Sequence, residues 1–173
     1  MSAHTILHSE EEIRARVEAL ARDIAKAPLK PDFATIVMSG AFVFAADLLR
    51  ALSRQGLSLP VEFLWLRSYA DRRSGGEVSV LAGPSERIRG RTVLVIDGVL
   101  DRGDTLAKAR TLLMEAEAAS TITAVAVDKM RSDAVLRSHH ALFRGDEGFL
   151  IGYGMDDGGR ERGLPYIATV RTA

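Results

Sequence analysis

An acidic turn that follows an apolar strand is the part of this sequence best suited to chemistry. The apolar run from Thr92 to Ile96 is followed by two carboxylates, Asp97 and Asp101. Four further residues lead into a helical pattern: Arg102, Gly103, Asp104 and Thr105. At the amino end of a helix, such a turn can direct several backbone N–H groups and a Thr hydroxyl at one phosphate. The same carboxylates could instead only cap the helix, and the pattern alone does not separate the two interpretations.

The elements that must position this turn alternate between strands and helices. Apolar, β-rich runs predict strands at Phe33–Met38, Val61–Leu66, Val78–Leu81, Thr92–Ile96, Thr121–Val127 and Phe149–Gly152. Apolar stripes at helical spacing predict helices over Ser9–Ala27, Phe44–Leu52 and Leu106–Ala116. Ser9 and Glu12 form a capping box at the first of these helices. The alternation predicts an α/β domain with a mainly parallel sheet, in which ligands bind beyond the carboxyl ends of the strands.

The segments that connect these strands and helices are predicted to have less regular structure. Ser39-Gly40 and Asp97–Asp104 are expected to be turns, and the polar segment Arg67–Glu77 a long hairpin or mobile loop. The Gly-rich segment from Tyr153 to Ala173 is expected to end in extended chain.

Composition limits the class of protein. The 173 residues suit a single domain, 1–173, and 23 basic against 23 acidic side chains leave no formal net charge. A neutral chain argues against binding to nucleic acid or to an anionic membrane. Without cysteine there is no disulfide framework and no thiolate zinc site, and no apolar run is long enough for a membrane span. These features predict a cytoplasmic protein that acts on small molecules.

Four segments resemble one enzyme family. VLVIDGVLDRGDTL resembles the phosphoribosyl-pyrophosphate (PRPP) motif of the type I phosphoribosyltransferases. Three further segments are similar to the hypoxanthine-guanine branch of that family, in the same order: VMSGAFVFAADLLRAL to its pyrophosphate loop, RSYADRRSGGEVSVL to its lid, and VDKMR with FLIGYGMDDGGRERGLPYI to its purine site and hood. The resemblance implies the type I fold: a mainly parallel sheet between helices, a lid loop at about 67–83, and a small hood built from the N-terminal segment and from about 149–173.

The resemblance also implies a reaction and assigns residues to it. Ribose 5-phosphate would pass from PRPP to N9 of hypoxanthine or guanine, with Mg²⁺, to give IMP or GMP and pyrophosphate in purine salvage. Asp101 matches the carboxylate that accepts the proton of purine N7. The residues that match PRPP contacts are Asp97 at the ribose, Arg102, Gly103, Asp104 and Thr105 at the 5′-phosphate, and Ser39, Gly40 and Arg162 at pyrophosphate. The remaining matches are Ser68 and Tyr69 in the lid, and Lys129, Phe149, Leu150 and Asp156 at the purine, with Asp156 also linked to the metal.

Several of these residues have simpler interpretations. Phe149 could be a core phenylalanine, Lys129 could mark a strand end, and Arg162 could be a surface charge. Tyr153 is assigned to packing. The four histidines, His4, His8, His139 and His140, are expected to be solvated, with a zinc site as the weaker alternative.

The sequence departs from the family pattern at three positions. Gly98 stands where the second of two consecutive acids is usual, Ser39 where many members carry Lys, and Asp104 where a basic or neutral residue is usual. All three changes predict weaker PRPP binding. The alternatives to an enzyme are a non-catalytic regulator that binds PRPP or a nucleotide, and an RNA-binding regulator, which the neutral charge disfavours. The resemblance further implies a homodimer or homotetramer.

Overall fold

The computed structural model describes residues 4–68 and 78–170. Nine strands are β1 (His4–His8), β2 (Phe33–Met38), β3 (Val61–Ser68), β4 (Val78–Ala82), β5 (Thr92–Leu100), β6 (Ser120–Asp128), β7 (His140–Arg144), β8 (Phe149–Ile151) and β9 (Ile167–Val170). Three α-helices are α1 (Glu10–Lys26), α2 (Phe42–Arg54) and α3 (Asp104–Glu115), and a short 3-10 helix spans Glu86–Ile88. Tyr69, the Ser68 side chain and most of the predicted lid, residues 69–77, lie outside the described residues.

The strands form two sheets. The larger has the order β4-β3-β2-β5-β6-β7, and only β4 runs antiparallel to its neighbour. The smaller is antiparallel, with the order β1-β9-β8. The predicted α/β architecture with a mainly parallel sheet is therefore confirmed. The small sheet joins an N-terminal strand to the segment after Phe149, as the hood prediction required.

The helices cover the two faces of the large sheet. α1 and α2 pack on one face through buried residues such as Val17 and Leu48, and α3 packs on the other through Leu106 and Leu113. α1 begins where the sequence predicts, because the Ser9 hydroxyl accepts a hydrogen bond from the Glu12 N–H (3.3 Å). In the part of the chain that the structure describes, no helix is long and apolar enough to span a membrane.

The strands differ from the predictions in two ways. β5 does not end at Ile96: it continues to Leu100, because Asp97 pairs with Val125 and Val99 with Val127 in the ladder with β6. The predicted turn therefore begins at Asp101 rather than at Asp97. Three strands, β1, β7 and β9, were not predicted as strands, although the segment containing β9 was expected to be extended. Each is short, with five, five and four residues, so the pattern in its own sequence is weak.

The prediction that the histidines are solvated is wrong for His8 and incomplete for His4 and His140, which are partly buried, whereas His139 is exposed. The His8 side chain is only 15% exposed; its ring stacks on Phe143, and its Nε2 lies 2.8 Å from Asp146 Oδ2. His139 bonds to Thr123 through Nδ1 (2.8 Å), and His140 is partly buried. His4 Nε2 lies 3.0 Å from the Tyr166 hydroxyl. The weaker zinc alternative gains no support, because within 4–68 and 78–170 no three ligating side chains form a metal-binding group.

Candidate active site

A cleft of about 620 Å³ opens at the carboxyl edge of the large sheet, beneath the small sheet. It brings together predicted site residues from distant segments: Ser39, Gly40, Asp97, Asp101, Lys129, Phe149, Leu150, Asp156 and Arg162. A smaller cavity of about 160 Å³ adjoins it and is lined by the turn residues Arg102, Gly103, Asp104 and Thr105. Both cavities share Asp97 and Asp101, so they form one continuous surface with the turn at one end.

The turn has the backbone of an anion site. Gly103 is the N-cap of α3 with φ of 92°, a left-handed conformation that favours glycine. No side chain caps this helix, so its first N–H groups remain open to a ligand. The alternative in which the acids of the turn merely cap α3 is therefore not supported. Asp104 lies in the first turn, 3.6 Å from the Arg102 guanidinium, which offsets part of its negative charge.

Asp97 is a buried carboxylate with few partners. It is 9% exposed, and its Oδ1 accepts one hydrogen bond, from the Gly98 N–H (2.7 Å). Burial raises the pKa of Asp97 to about 6, and the Gly98 N–H offsets only part of that rise. A ligand that donates hydrogen bonds or carries positive charge would relieve this unfavourable burial.

Asp101 lies between two cations. Lys129 Nζ donates to Asp101 Oδ2 (2.8 Å) and to the Gly148 carbonyl (2.8 Å), and Arg131 Nε lies 3.3 Å from Asp101 Oδ1. Asp101 Oδ1 is inaccessible to solvent and accepts no hydrogen bond among the described residues. The interpretation of Lys129 as a mere strand end is thus incomplete, since its ammonium joins the turn to the hood.

Arg131 and Asp128 belong to the site although sequence reasoning missed both. Asp133 holds the Arg131 guanidinium through two hydrogen bonds (2.8 and 2.9 Å) and so directs it at Asp101. Asp128 is fully buried at the end of β6. It accepts hydrogen bonds from the Met130 N–H (2.9 Å), the Ser138 hydroxyl (2.8 Å) and N–H (3.3 Å), and the Arg144 guanidinium (3.0 Å). The only sequence signal for either was its position next to Lys129 in VDKMR.

Burial raises the pKa of Asp128, but the hydrogen bonds from Met130 and Ser138 and the charge of Arg144 outweigh that effect. The pKa of Asp128 therefore lies below its ordinary value, and the carboxylate stays charged. The loop that follows, which carries Lys129 and Arg131, is thereby fixed at its base. It also contacts the turn directly, since the Val135 N–H donates to the Arg102 carbonyl (2.8 Å).

The hood contributes an exposed ring and an ion pair. Phe149, at the start of β8, is 51% exposed and lines the cleft, so its interpretation as a core residue is wrong. Leu150 beside it is buried, and its backbone pairs with Thr169 of β9. Arg162 binds Asp156 (2.8 Å) and the Gly154 carbonyl (2.7 Å), so it is more than a surface charge.

Tyr153 packs in the core as predicted, and its hydroxyl donates to Asp47 (2.9 Å). The pyrophosphate-loop match, Ser39 and Gly40, lies between β2 and α2 and lines the same cleft as Arg162. α2 resembles α3 in having no side-chain cap at its amino end.

Two curated relatives and one solved structure are named as hypoxanthine or hypoxanthine-guanine phosphoribosyltransferases. Residues 4–157 match the model of the phosphoribosyl transferase domain family. The hypoxanthine phosphoribosyltransferase of Escherichia coli K12 is 33% identical, with 96% of each chain covered. The hypoxanthine-guanine phosphoribosyltransferase of Aquifex aeolicus is 32% identical, over 95% of this chain and 93% of its own.

A solved structure agrees. The hypoxanthine phosphoribosyltransferase of Trypanosoma cruzi in complex with IMP superposes with a TM-score of 0.85 at 30% identity, covering 98% of this chain and 95% of its own. The resemblance and the type I fold inferred from the sequence are confirmed. The chain therefore belongs to the phosphoribosyltransferase family, within its hypoxanthine-guanine branch.

Proposed function

We propose that the protein transfers ribose 5-phosphate from PRPP to N9 of hypoxanthine or guanine and releases pyrophosphate. The observation that carries this proposal is the position of Asp101. Its carboxylate lies between Lys129 and Arg131, in a cleft that has an exposed aromatic ring on one side and an open helix terminus on the other. A purine between ring and carboxylate and a phosphate at the helix would bring the two reacting atoms, N9 of the base and C1′ of the ribose, together as the bond from C1′ to pyrophosphate breaks.

At the purine, Phe149 stacks on the base and Lys129 recognises the 6-oxo group. An ammonium has three donors, and Lys129 uses two of them, on Asp101 and Gly148, so one remains for the base. The Asp101 carboxylate takes the proton from N7 as N9 forms its bond to C1′ of the ribose. The backbone of Leu150 and Asp156 reads the edge of the ring.

At PRPP, the residues 102–105 hold the 5′-phosphate with backbone N–H groups at the start of α3. Asp97 accepts hydrogen bonds from the ribose hydroxyls, and its negative charge stabilises the cation that develops on the ribose. Ser39, Gly40 and Arg162, which line the same cleft, hold the pyrophosphate. The lid residues Ser68 and Tyr69 would exclude water when the cleft closes.

Mg²⁺ is the metal that the family resemblance implies. Asp97 and Asp156 are two of the three carboxylates that line the cleft, and Asp97 Oδ2 accepts no hydrogen bond among the described residues. This donor set fits Mg²⁺, which keeps several waters and is usually held by one or two carboxylates together with substrate phosphates. When bound, the ion neutralises charge on the departing pyrophosphate.

Purified protein with PRPP, Mg²⁺ and each of hypoxanthine, guanine, xanthine and adenine tests the proposal, with nucleotide detected after separation. We expect IMP or GMP and little or no AMP, because the Lys129 ammonium meets a donor in a 6-amino group. Discrimination that rests on such a contact can exceed a thousandfold. Lys129→Gln should lose most of the preference for 6-oxopurines, whereas Lys26→Gln, on the exposed end of α1, should keep it. Adenine used as fast as hypoxanthine would contradict the assignment.

A second candidate, a regulator that binds PRPP without turnover, is favoured by the glycine at position 98 and the serine at position 39. Each removes a charged group from the proposed PRPP site. The same assay separates the candidates, since calorimetric binding of PRPP with no nucleotide formed identifies the regulator. The retained carboxylate of Asp101, which only a reaction needs, favours the enzyme.

A homo-oligomer is also proposed, and the sheet offers it a surface. α1 and α2 leave the outer face of β3 uncovered, where Phe63 is 59% and Trp65 51% exposed, next to Phe42 at 42%. Burial of these rings against a second copy would be favourable. Phe63→Glu should lower the mass measured by light scattering, and Leu29→Glu, exposed elsewhere, should not. A mass of one chain for the unchanged protein would refute the oligomer. The expected cytoplasmic location stays a prediction.

A further inference from the structure

The carbonyl of Gly40 lies in a slot between two other glycines. A Cβ atom at Gly98 would lie 2.8 Å from the Gly40 oxygen and 3.1 Å from its carbon, and a Cβ atom at Gly154 would lie 2.5 Å from the same oxygen. Contacts under 3.0 Å are not made by real Cβ atoms, and here the neighbour is backbone rather than a flexible side chain. Gly98 and Gly154 must therefore both be glycine for Gly40 to lie where it does.

The three glycines come from three different elements. Gly98 lies in β5, Gly154 in the turn after β8, and Gly40 in the loop from β2 to α2. Gly154 has φ of +100°, a backbone conformation that by itself favours glycine at this position. Gly98 does not have a positive φ, so the contact with Gly40 is the only steric reason against a side chain at that position.

We propose that Gly98 is a positioning residue for the pyrophosphate loop, residues 39–41. The missing side chain allows the loop to lie against β5, with the Gly40 carbonyl in the space where a side chain at position 98 would project. This inference rests on the proposed function, because it is that function which assigns the loop to pyrophosphate. It also changes the meaning of the departure from two consecutive acids: position 98 has lost a carboxylate, and the loop has taken its place.

The loop position matters because α2 begins directly after it. Ala41 is the N-cap of α2, and no side chain caps that end, so displacement of the loop also moves the first N–H groups of the helix. Shifts of about 1 Å in groups that hold a reacting substrate can cost as much as a hundredfold in rate. A methyl group at position 98 is thus expected to act on pyrophosphate binding more than on purine binding.

The test compares Gly98→Ala with Ser58→Ala, at an exposed position in the loop from α2 to β3 that lies outside the cleft. Calorimetry gives Kd for PRPP with Mg²⁺ and for IMP, and kinetics give KM for each substrate and kcat. We expect Gly98→Ala to raise Kd and KM for PRPP about tenfold, as overpacking typically does. Binding of IMP, which does not reach the pyrophosphate loop, should change less than about twofold. Ser58→Ala should change neither.

A second variant, Gly98→Asp, distinguishes a displaced loop from a missing charge. We expect it to weaken PRPP binding as well, because the new Cβ must displace Gly40 before the carboxylate can act. Tighter PRPP binding by Gly98→Asp, or unchanged binding by Gly98→Ala, would overturn the inference. So would loss of PRPP and IMP binding together, including loss of folding in a melting curve, because Gly98 would then support the whole structure rather than the loop.

The proposed function and the role of Gly98 can be refuted independently of each other. A wild-type protein that binds PRPP but forms no nucleotide would contradict the enzyme, while the Kd comparison would still decide the role of Gly98. Normal turnover, with equal Kd and KM for PRPP in wild type and Gly98→Ala, would refute only the role of Gly98 in positioning the loop. A wild-type protein that binds no PRPP would refute both.

Discussion

β5 and β6 are neighbours in the sheet, and each carries a buried aspartate in its carboxyl half. The pKa values of these two aspartates are shifted in opposite directions. Asp97 on β5 accepts one hydrogen bond, and its pKa is raised to about 6. Asp128 on β6 accepts hydrogen bonds from three residues, and its pKa is lowered. Both side chains have little exposed surface, and Asp128 differs in having hydrogen bonds from Met130 and Ser138 and the charge of Arg144, which lower its pKa.

This difference separates a binding carboxylate from a structural one. A buried charge with few partners destabilises the free protein and gains most from a ligand, whereas a buried charge with many partners holds the backbone around it. Asp101, which follows β5, is half exposed and pairs with Lys129 and Arg131, and it is grouped with Asp97 because both line the cleft. Substitutions at the end of β5 should therefore affect function, and substitutions at the end of β6 should affect stability.

The largest effect is expected for Asp101→Asn. The amide keeps the shape of the side chain but cannot accept the N7 proton, so kcat should fall about a hundredfold or more. Steady-state and single-turnover kinetics measure this, and IMP binding should survive. An unchanged rate of the chemical step would remove Asp101 from its proposed role.

Asp128→Asn should cost the most stability. The amide presents a donor where the carboxylate accepts hydrogen bonds from the Ser138 hydroxyl and the Arg144 guanidinium, and it removes the counter-charge of that half-exposed guanidinium. We expect a loss of about 3 kcal/mol in the free energy of unfolding, measured in urea. Asp157→Asn, at an exposed turn, is the matched control and should change little. A stable Asp128→Asn protein would mean that donor count does not distinguish the two strand ends.

Asp97→Asn should instead raise the free energy of unfolding at neutral pH. The folded state binds the Asp97 proton more tightly than the unfolded state, whose pKa is near 3.8, so wild type loses stability as pH rises through about 4 to 6. Asparagine does not titrate. The variant's advantage in the free energy of unfolding should therefore grow by about 2 kcal/mol between pH 4 and pH 7. An advantage that is independent of pH would show that the pKa of Asp97 is not raised.

The smallest change is Ser138→Ala. It removes one hydroxyl donor from Asp128 and leaves the Ser138 N–H and the other partners in place. A loss of about 1 kcal/mol is expected, since hydrogen bonds to charged groups contribute about 1.5–3 kcal/mol and the remaining donors compensate in part. A loss as large as that of Asp128→Asn would indicate that one hydroxyl, rather than the set of donors, holds the carboxylate.

The same contrast explains how much the sequence could predict. The cleft residues of β5 and the hood could be predicted because they lie in short, continuous segments that resemble family motifs. These segments are the acidic turn and the segment from Phe149 to Arg162. Asp128 and Arg131 could not, because their roles depend on partners such as Ser138 and Arg144, which only the fold brings near.

Among the strands, β1, β7 and β9 were not predictable from their own sequences, although β4 and β8, which are no longer than five residues, were predicted. β7 owes its structure to a place beside β6, and β1 to a place beside β9. β5 passes beyond Ile96 because a polar side chain does not end a strand whose ladder partner continues, as β6 does through Asp128. Local pattern carries no record of such partners.

The small sheet also has a consequence for the order of synthesis. Its middle strand, β9, is the last of the three to leave the ribosome, and β1 is the first strand of the described chain. β1 must therefore wait for nearly all of the remaining chain before it finds its partner, and β8, which carries Phe149, remains without a ladder until the same moment. The purine end of the cleft is thus completed only after the large sheet has been made, and a chain interrupted before β9 would have a phosphate-binding turn but no finished surface for the base.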